Sequence, residues 1–420
     1  MEISLIQLIS DQTMPNLLAP LAFRAAAVKE PLELVHLVTP HSARRSHDIA
    51  RAAKQAQMNP TLSTEMLSAM PDIEETGRAV AQAVKQARET GRLPVVNYTG
   101  ATKLMSIGAF EAARELGVPS LYVDTDRELF LDGNTGPRID SLLGGVTFQK
   151  VGKLLNVNII AVANGSEQVT NSRDAKPFLA FASHLLADSA AERACFNAIR
   201  DKTGLCPNGE PKHAAGWLAL LERDIKLPAA DDAIAAGLVR PSGKGGFRIA
   251  VDDGTRKRLV ELTHGPRHDG DYRKRYAKAI GPIQFVVGFL AGGWLEVAVW
   301  DAAKQSKRFR DVRWSVDIGG KGFGEHLEED VVAVDGVRIA YFSCKRGGAK
   351  AKLATTLEEI DARARRLGGS FTRRFLCLYV PQPPPAVERR AKELDIRIVT
   401  AHQLATPGVF DPVGAVAGDG

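Results

Sequence analysis

The stretch LPVVNYTGATKLMSIGAFEAARELG, residues 93–117, contains the pattern that decides the fold of the N-terminal part of this chain. It begins with an apolar run typical of a buried strand and continues into apolar residues at helical spacing. Gly117 follows the last helical residue, as glycine often does at the end of a helix. The polar loop NYTGAT lies between the two elements, so the stretch predicts a strand, a loop and a helix in direct succession.

The same order recurs on both sides of that stretch. Strands are predicted in ISLIQLIS, LELVHLVTP and SLYVDTD, and helices in PNLLAPLAFRAAAV, in SARRSHDIARAAKQAQ and over residues 73–90. Strands that alternate with helices favour a largely parallel sheet with helices on both faces. Residues 1–168 are therefore predicted to form a Rossmann-like α/β domain.

The rest of the chain is predicted to form two further units and a tail. Residues 169–285 have mostly helical patterns and one hairpin, so we expect a small α+β linker module that resembles a winged helix. Residues 286–405 combine helices and strands in a second α/β domain. Its predicted strands include 310–318, 330–334 and 337–344. The Gly-rich end, residues 406–420, is predicted to be disordered.

The composition is that of an ordinary globular protein. Hydrophobic residues make up 45% of the chain and charged residues 25%, and no apolar run approaches the roughly 20 residues that span a bilayer. The four cysteines are scattered without CxxC spacing, which predicts reduced thiols and argues against a cysteine zinc site. The net charge of +6 permits a polyanionic partner such as nucleic acid. We therefore expect a cytoplasmic protein without a membrane partner.

Polar residues follow three of the predicted N-terminal strands. They lie in SDQTMPN (residues 10–16), VTPHS (38–42) and NYTGATK (97–103). Ligands of open α/β sheets bind beyond the carboxyl ends of the strands, where helix N-termini present free N–H groups. Thr99 and Thr102 offer hydroxyls, Gly100 lets the backbone approach a ligand and Lys103 adds a positive charge, a set that suits a phosphate. No GxGxxG or GxxxxGK[ST] motif is present, and helix capping is the alternative use of such residues.

A second polar constellation is predicted in EEDVVAVDGVRIAYFSCKRG, residues 328–347. Two apolar runs flank the dipeptide DG, which is typical of a hairpin whose two-residue turn is Asp335 and Gly336. In that register Asp330 faces Tyr341. Because side chains alternate along strands, one face of the hairpin then carries Asp330, Tyr341, Ser343 and Lys345.

Further carboxylates accompany that face. Glu328 lies opposite Ser343 in the same register, and Glu296 lies on the helix predicted in GGWLEVAVWD. Carboxylates that bind Mg²⁺ or Mn²⁺ beside a lysine are the usual arrangement for metal-assisted hydrolysis of a phosphodiester. The catalytic candidates are Asp330, Lys345, Glu296, Ser343 and Glu328, with Asp330 and Glu296 as metal ligands and Glu325 and Glu329 as further acidic candidates.

Both constellations resemble motifs of one protein family. SDQTMPNLL, LVTPHS and NYTGATKLMSIGAF resemble the CARF domains of CRISPR-associated effectors. The element TGxTKxM is typical of the branch in which a CARF domain is fused to a restriction-endonuclease-like domain. That branch has a GGWxE helix, an ExDV strand and an xECK strand, which GGWLE, EEDVV and FSCK resemble here. The resemblance covers residues 1–168 and about 286–400.

The resemblance implies a function as well as a fold. A cyclic oligoadenylate, with cyclic tetra-adenylate as the expected activator, would bind across a homodimer of CARF domains and activate metal-dependent cleavage of RNA or DNA in antiviral defence. The implied cofactor is Mn²⁺ or Mg²⁺. The implied ring-binding residues are Ser10, Asp11, Gln12, Thr13, Asn16, Thr39, Ser42, Asn97, Thr99, Gly100, Ala101, Thr102, Lys103 and Met105.

Two positions depart from the family pattern. Ala101 stands where the branch has a second glycine, and Ser343 stands where it has a metal-binding glutamate. Three hypotheses follow for the second departure: the nuclease domain is inactive, Glu328 supplies the missing carboxylate, or Ser343 holds a metal-bound water. We favour an altered but retained metal site, because the other members of the set are present. The alternative classes are a non-catalytic ring sensor and an unrelated nucleotide-binding regulator whose middle segment contacts DNA.

Overall fold

Two six-stranded sheets, one from each end of the chain, organise the protein. The structure is a computed structural model. It describes residues 2–27, 32–166, 168–171, 174–200, 206, 211–243, 245–264, 271–319, 327–347 and 350–411.

The N-terminal sheet confirms the Rossmann-like prediction. Its strands are β1 (Ile3–Leu8), β2 (Leu32–Val38), β3 (Thr61–Met66), β4 (Leu93–Asn97), β5 (Ser120–Asp124) and β6 (Leu129–Asp132). The strand order is β3-β2-β1-β4-β5-β6, and only the edge strand β6 runs antiparallel to its neighbour. The order reverses between β1 and β4, so their carboxyl ends border the crevice where such sheets bind ligands.

Helices cover both faces of this sheet. They are α1 (Thr13–Ala25), α2 (Ala43–Gln55), α3 (Ile73–Glu89), α4 (Lys103–Leu116), α5 (Ile139–Leu143), α6 (Phe148–Gly152) and α7 (Val157–Ala163). The helix predicted after β4 begins at Lys103, and Gly117 ends it in the left-handed conformation with a φ of 63°. The polar loops that follow β1, β2 and β4 therefore each lead into a helix at one edge of the sheet.

The middle of the chain is mostly helical, as predicted. Its elements are β7 (Gln168–Asn171), α8 (Leu179–Ala187), α9 (Ser189–Arg200), α10 (Ala214–Leu221), α11 (Ala230–Ala235), β8 (Val239–Pro241), β9 (Phe247–Ile249), α12 (Asp253–His264) and α13 (Tyr272–Gly288). These helices share one hydrophobic core with one face of the C-terminal sheet, and buried Phe181 and Trp217 belong to it. The winged-helix resemblance of this segment and the domain boundaries stay predictions.

The C-terminal sheet is mixed. Its elements are α14 (Trp294–Gln305), β10 (Phe309–Gly319), β11 (Leu327–Asp335), β12 (Arg338–Lys345), α15 (Lys350–Gly368), β13 (Arg373–Leu378), α16 (Pro385–Glu393), β14 (Ile396–Thr400) and α17 (Ala401–Leu404). The order is β14-β13-β12-β11-β10-β7, antiparallel from β7 to β12 and parallel from β12 to β14. The face that carries Val332 and Leu376 shares a hydrophobic core with the N-terminal domain, which joins the two halves.

One helical stretch among the described residues passes the length and composition test for a membrane span. It runs over Tyr272–Gln305, where a π-helical turn at Phe289–Gly293 joins α13 to α14. Of its most apolar window, 61% is buried inside the protein. Core helices pass the same test, so the stretch is weak evidence for a membrane span.

Residues 406–411 differ from the predicted disordered tail. Phe410 is fully buried, and its ring lies 5.2 Å from that of Phe342 and 5.7 Å from that of Phe375. The Ser306 hydroxyl donates to Asp411 at 2.7 Å. The prediction was wrong for this part because a single aromatic residue fills a gap in the core. Residues 412–420 lie outside the described residues.

Candidate functional site

A cavity of about 950 Å³ opens at the carboxyl ends of the N-terminal strands. The ring-binding candidates that line it are Ser10, Asp11, Gln12, Thr39, Ser42, Thr99, Gly100, Ala101, Thr102, Lys103 and Met105. The other three, Thr13, Asn16 and Asn97, are buried and do not line the cavity. The structure therefore brings the three predicted loops to one place, although it leaves their ligand a prediction.

Sequence reasoning missed part of this cavity. The loop of residues 69–72 lines it, as do His41 and Tyr122. The loop follows β3, an edge strand whose residues are mostly exposed and which lacks the apolar run of a buried strand. No signal in the sequence placed that loop at the same edge as the other three.

The two threonines of the NYTGATK loop are used structurally. The Thr99 hydroxyl donates to Asn97 Oδ1 at 2.7 Å and accepts from the N–H of Val123 at 2.6 Å. The Thr102 side chain caps α4 by accepting from the N–H of Met105 at 3.3 Å. These bonds fix the loop, and only the Thr102 hydroxyl serves in helix capping, since Thr99 bonds a neighbouring side chain and a strand N–H. Exposed Lys103 makes no ion pair with any residue that the structure describes, so its charge faces the cavity unneutralised.

The backbone at Gly100 and Ala101 explains why glycine suits this loop. A Cβ at Gly100 would clash with the carbonyl oxygen of Leu8. Ala101 has a φ of 73°, in the left-handed region where an L side chain costs roughly 1–2 kcal/mol. The family glycine at the position of Ala101 thus matches the conformation, and this chain adopts it with some strain.

A chain of buried side chains supports the loops from below. Asn97 Nδ2 donates to Gln7 Oε1 at 3.0 Å, and Gln7 Nε2 lies 3.2 Å from His36 Nε2. Because the Gln7 oxygen is used by Asn97, its amide nitrogen donates to His36, whose Nδ1–H then bonds Ser46 at 2.8 Å. Burial, reinforced by the charge of His47, lowers the pKa of His36 to about 3. The imidazole is therefore neutral and ties β4, β1, β2 and α2 together.

A smaller cavity, of about 160 Å³, lies against the C-terminal hairpin. Its walls are formed by Glu328, Asp330, Tyr341, Ser343 and Lys345 of the hairpin and by Thr356, Glu359, Ile360 and Arg363 of α15. The structure thus brings together the side chains that the sequence placed on one face. The α15 side chains were not among the candidates, because the sequence predicts the helix but not which of its faces meets the hairpin.

The predicted register of the hairpin was wrong, because the turn lies one residue further along the chain than predicted. Gly336 and Val337 form the turn, Asp335 pairs with Arg338, and Val332 pairs with Tyr341. Gly336 has a φ of 62°, which suits the first turn position of a type II′ hairpin.

Two arginines hold Asp335 in the strand. Arg308 Nη2 lies 2.7 Å and Arg373 Nε 2.6 Å from its carboxylate.

Extending the observed register places Asp330, and not Glu328, beside Ser343. Each residue now pairs with one that lies two positions further along the partner strand. Because side chains alternate with a period of two residues, the same side chains stay on the face.

The Asp330 carboxylate is the centre of the smaller cavity. Its Oδ2 accepts from the N–H of Cys344 at 2.6 Å and lies 3.4 Å from Lys345 Nζ and 3.5 Å from the Ser343 hydroxyl. Burial alone would lower the pKa of Lys345, but the adjacent Asp330 charge outweighs it and the pKa is raised. The lysine is therefore cationic and fixed beside the carboxylate.

Strand β10 has an irregular backbone close to Asp330. Trp314 packs on one face of the sheet and Val316 on the other, although residues two apart normally share a face. Ser315 between them has a φ of 50°, and its hydroxyl donates to Glu328 Oε1 at 2.6 Å. Glu328 therefore lines the cavity with one oxygen already bonded.

Glu296 stands behind Asp330. Its Oε2 accepts from the indole N–H of Trp314 at 2.9 Å, and it does not line the cavity. Burial first, and the nearby Asp330 charge second, raise the pKa of the Glu296 carboxyl well above its usual range. The Glu296 carboxyl therefore favours its neutral form while no cation is bound, and a cation beside Asp330 would favour the charged form.

The two further acidic candidates have different outcomes. Glu329 is fully buried, and its Oε2 lies 3.2 Å from Arg363 Nη1, so it is neutralised away from the cavity. Burial raises the pKa of Glu329 despite that arginine. Glu325 lies outside the described residues.

The donor set fits a hard divalent cation by chemistry. Carboxylate oxygens are the ligands that Mg²⁺ and Mn²⁺ prefer, and Asp330 and Glu328 border one cavity. Within the described ranges, no three His, Cys, Asp or Glu side chains stand close enough together to hold a metal ion. A cation held here as the side chains stand would therefore have at most two carboxylate ligands among the described residues, with water completing its coordination.

Family models match both ends of the chain. Residues 4–135 match the model of the Card1 CARF domain, and residues 284–406 match the model of the Card1-like endonuclease domain. A comparison with curated proteins finds no match.

Three solved structures with similar folds are informative. Can2 from Sulfobacillus thermosulfidooxidans, in complex with cyclic tetra-adenylate, is 18% identical with a TM-score of 0.65, over 96% of this chain and 97% of its own. Protein VC1899 from Vibrio cholerae is 14% identical with a TM-score of 0.64, over 96% and 95%. A type III CRISPR defence DNA nuclease activated by cyclic oligoadenylate is 15% identical with a TM-score of 0.50, over 91% of this chain and 47% of that one.

At these identities the structural likeness concerns the fold, and the family assignment comes from the two matched models. The matches contain most of the two sheets, leaving out β7, and include the residues that line both cavities. By its domains, this chain belongs to the CRISPR-associated CARF-domain effector nucleases.

Proposed function

We propose that this protein is an ancillary effector of type III CRISPR defence, in which a cyclic oligoadenylate activates metal-dependent cleavage of RNA or DNA. One observation carries the proposal. Asp330 is held between the N–H of Cys344 and Lys345 in a cavity of the endonuclease-like domain, on a chain whose other end matches a CARF domain.

The C-terminal residues have defined roles in that reaction. Asp330 and Glu296 are the proposed ligands of Mn²⁺ or Mg²⁺, which when bound supplies Lewis acidity and a nucleophilic water. Lys345, kept cationic by Asp330, stabilises the charge that develops on the scissile phosphate and orients the attacking water. Contacts of this kind are mostly to phosphates, so we expect weak sequence preference and strong dependence on salt.

The N-terminal cavity supports our proposal of a symmetric ring ligand shared by a homodimer, which we propose to be cytoplasmic. Exposed apolar side chains concentrate on and beside its rim, namely Met66, Met70, Ile73, Leu104, Ile107 and Tyr122. Clustered exposed apolar side chains mark interaction surfaces. A two-fold dimer would cover them and let each protomer contact half of a cyclic tetra-adenylate, because both present the same residues to a symmetric ring.

A series of contacts that runs from the N-terminal cavity to the C-terminal sheet supplies a route for activation. Thr13, which follows the cavity residue Gln12, donates to Asn164 at 3.0 Å, and Arg45 bonds the Asn164 carbonyl at 3.2 Å. Ser166 lies two residues after Asn164, and its hydroxyl donates to the carbonyl of Gly319, the last residue of β10. Ring binding activates cleavage only if the ring binds the active arrangement of these elements more tightly than the inactive one.

The second candidate function is a ring sensor that binds nucleic acid or protein without cutting. Ser343 favours it, because a neutral hydroxyl replaces the carboxylate of the family pattern beside Asp330. The two functions share the N-terminal cavity and differ only at the C-terminal one.

A paired assay separates the two candidates. Binding of cyclic tetra-adenylate is measured by calorimetry, and cutting of supercoiled DNA and single-stranded RNA is measured with the ring and Mn²⁺ present. Ring binding with metal-dependent cutting of either substrate supports the proposed nuclease. Ring binding without cutting supports the sensor, and failure to bind the ring contradicts both.

A further inference from the structure

The carboxylate that Ser343 lacks has a candidate source on the opposite wall of the smaller cavity. Helix α15 crosses this cavity with the side chains of Thr356, Glu359, Ile360 and Arg363, which are three or four residues apart and share one helix face. Glu359 is the one carboxylate that this helix contributes to the described cavity wall.

The helix backbone is fixed relative to Asp330. Ile360 is buried in the core, and Arg363 bonds both the carbonyl of Glu328 and the carboxylate of Glu329 at 3.2 Å each. Glu328 and Glu329 directly precede Asp330 in β11. Arg363 therefore ties the face that carries Glu359 to the strand that carries Asp330.

The Glu359 carboxylate is uncommitted. Its neighbour Glu358 accepts from Arg390 at 2.8 Å, and Asp361 lies 3.3 Å from Arg374. By contrast, neither a hydrogen bond nor an ion pair joins Glu359 to any residue within the described ranges. Its side chain is exposed, so it can exchange rotamers without disturbing the core.

The hairpin carboxylates are more constrained. Asp330 already accepts from the N–H of Cys344, and Glu328 accepts from Ser315 through one oxygen. A divalent cation in this cavity needs oxygen ligands beyond those, and Ser343 offers only a neutral hydroxyl.

We propose that Glu359 supplies the carboxylate absent at position 343 and binds the divalent cation together with Asp330. The ligand thus comes from α15 and not from β12, and Glu359 turns into the cavity when the cation binds. The inference rests on the proposed function, since it concerns the metal of the same nuclease site.

Metal binding tests the inference without any cleavage assay. Mn²⁺ alone is titrated calorimetrically into the full chain, with neither ring nor nucleic acid present. Glu359→Gln keeps the size of the side chain and removes its charge, and it is expected to weaken Mn²⁺ binding at least about tenfold. Glu358→Gln, the adjacent acidic residue bonded to Arg390, is the matched control and leaves the affinity unchanged.

A rescue variant makes the test specific. Ser343→Glu restores the family carboxylate, so the double variant Ser343→Glu/Glu359→Gln is expected to recover most of the lost Mn²⁺ affinity. The increase in melting temperature on adding Mn²⁺ should follow the same order and shows whether each variant is folded.

The possible outcomes separate the inference from the function on which it rests. If the folded Glu359→Gln variant binds Mn²⁺ as tightly as the unaltered protein while Asp330→Asn does not, Glu359 is not a ligand and the inference is wrong. If the unaltered protein binds no Mn²⁺ at all, the metal-dependent nuclease itself is contradicted.

Discussion

The two cavities differ in size, charge and origin. The N-terminal one, about 950 Å³, is lined by hydroxyls, backbone and apolar side chains, together with Lys103, His41 and the carboxylates of Asp11 and Asp72. The C-terminal one, about 160 Å³, is lined mainly by charged side chains. The larger cavity has room for the ring ligand proposed above, and the smaller one has room for the proposed cation.

This difference predicts how each cavity responds to substitution. In the C-terminal cavity one carboxylate joins several neighbouring groups, since Asp330 is bonded by Cys344, Lys345 and Ser343. In the N-terminal cavity the hydroxyls already have partners in the protein, so the effect of any one side chain is smaller. The following substitutions test that ranking, from the largest expected effect to the smallest.

Asp330→Asn is expected to lower the ring-activated cleavage rate by at least about 100-fold. Substitution of a residue that only hydrogen-bonds to a metal ligand costs about 10- to 100-fold, and Asp330 is itself a proposed ligand. The neutral amide cannot bind the metal strongly or raise the pKa of Lys345. Cleavage rates at saturating Mn²⁺ measure the effect. Asp395→Asn, on an exposed turn of the same domain, is the control. A rate within a few fold of the unaltered protein would exclude Asp330 as the central residue.

Lys103→Ala is expected to weaken binding of cyclic tetra-adenylate about 10- to 100-fold, because it removes one charge-assisted contact worth roughly 1.5–3 kcal/mol. Cleavage at saturating ring should recover, since the C-terminal cavity is untouched. Ring titrations at two salt concentrations measure the change, with Lys85→Ala on the exposed face of α3 as the control. Unchanged ring affinity would show that Lys103 does not contact the ligand.

His36→Gln concerns the support beneath the N-terminal cavity. The pKa of His36 is lowered to about 3, from a usual value near 6.5. The unfolded chain therefore takes up a proton first, and folded-state stability is lost as the pH falls from about 6.5 towards 3. The slope from this residue is up to about 1.4 kcal/mol per pH unit.

Urea unfolding at pH 7 and pH 5 measures this effect. The glutamine variant should lose less stability between the two pH values than the unaltered protein does. The control is His402→Gln, at an exposed position of the C-terminal domain. An identical loss in His36→Gln and in the unaltered protein would argue against a buried neutral imidazole.

Ala101→Gly has the smallest expected effect. Removing the Cβ at a φ of 73° relieves roughly 1 kcal/mol of backbone strain, partly offset by the greater freedom of glycine in the unfolded chain. A small rise in the urea midpoint, with ring affinity unchanged or slightly improved, is expected. A fall in stability would mean that the alanine methyl makes a packing contact that outweighs the strain.

The sequence predicted the parts of the fold that rest on local patterns. Buried strands such as Val95–Val96 and amphipathic helices such as α3 have periodicities that depend on their own residues alone. The edge strands β3 and β6 were missed because their residues are mostly exposed or half-buried and show no apolar run. Phe410 was missed because one aromatic residue gives no pattern.

The candidate site was predicted to a similar extent. Alternation along β11 and β12 placed Asp330, Ser343 and Lys345 on one face, and this survives the corrected register because parity is preserved. The position of the turn could not be read, since it depends on the arginines around Asp335, which come from distant parts of the chain. Glu359 depends on the packing of α15, which no local pattern encodes.

The most direct test of the account is the initial rate of nucleic-acid cleavage as a function of cyclic tetra-adenylate, with and without Mn²⁺. The account predicts negligible cleavage without the ring or without the metal, and a rate that rises with the ring and saturates at one ring per two chains. Cleavage that is independent of the ring, or no cleavage at saturating ring and Mn²⁺, would contradict the coupling of the two cavities.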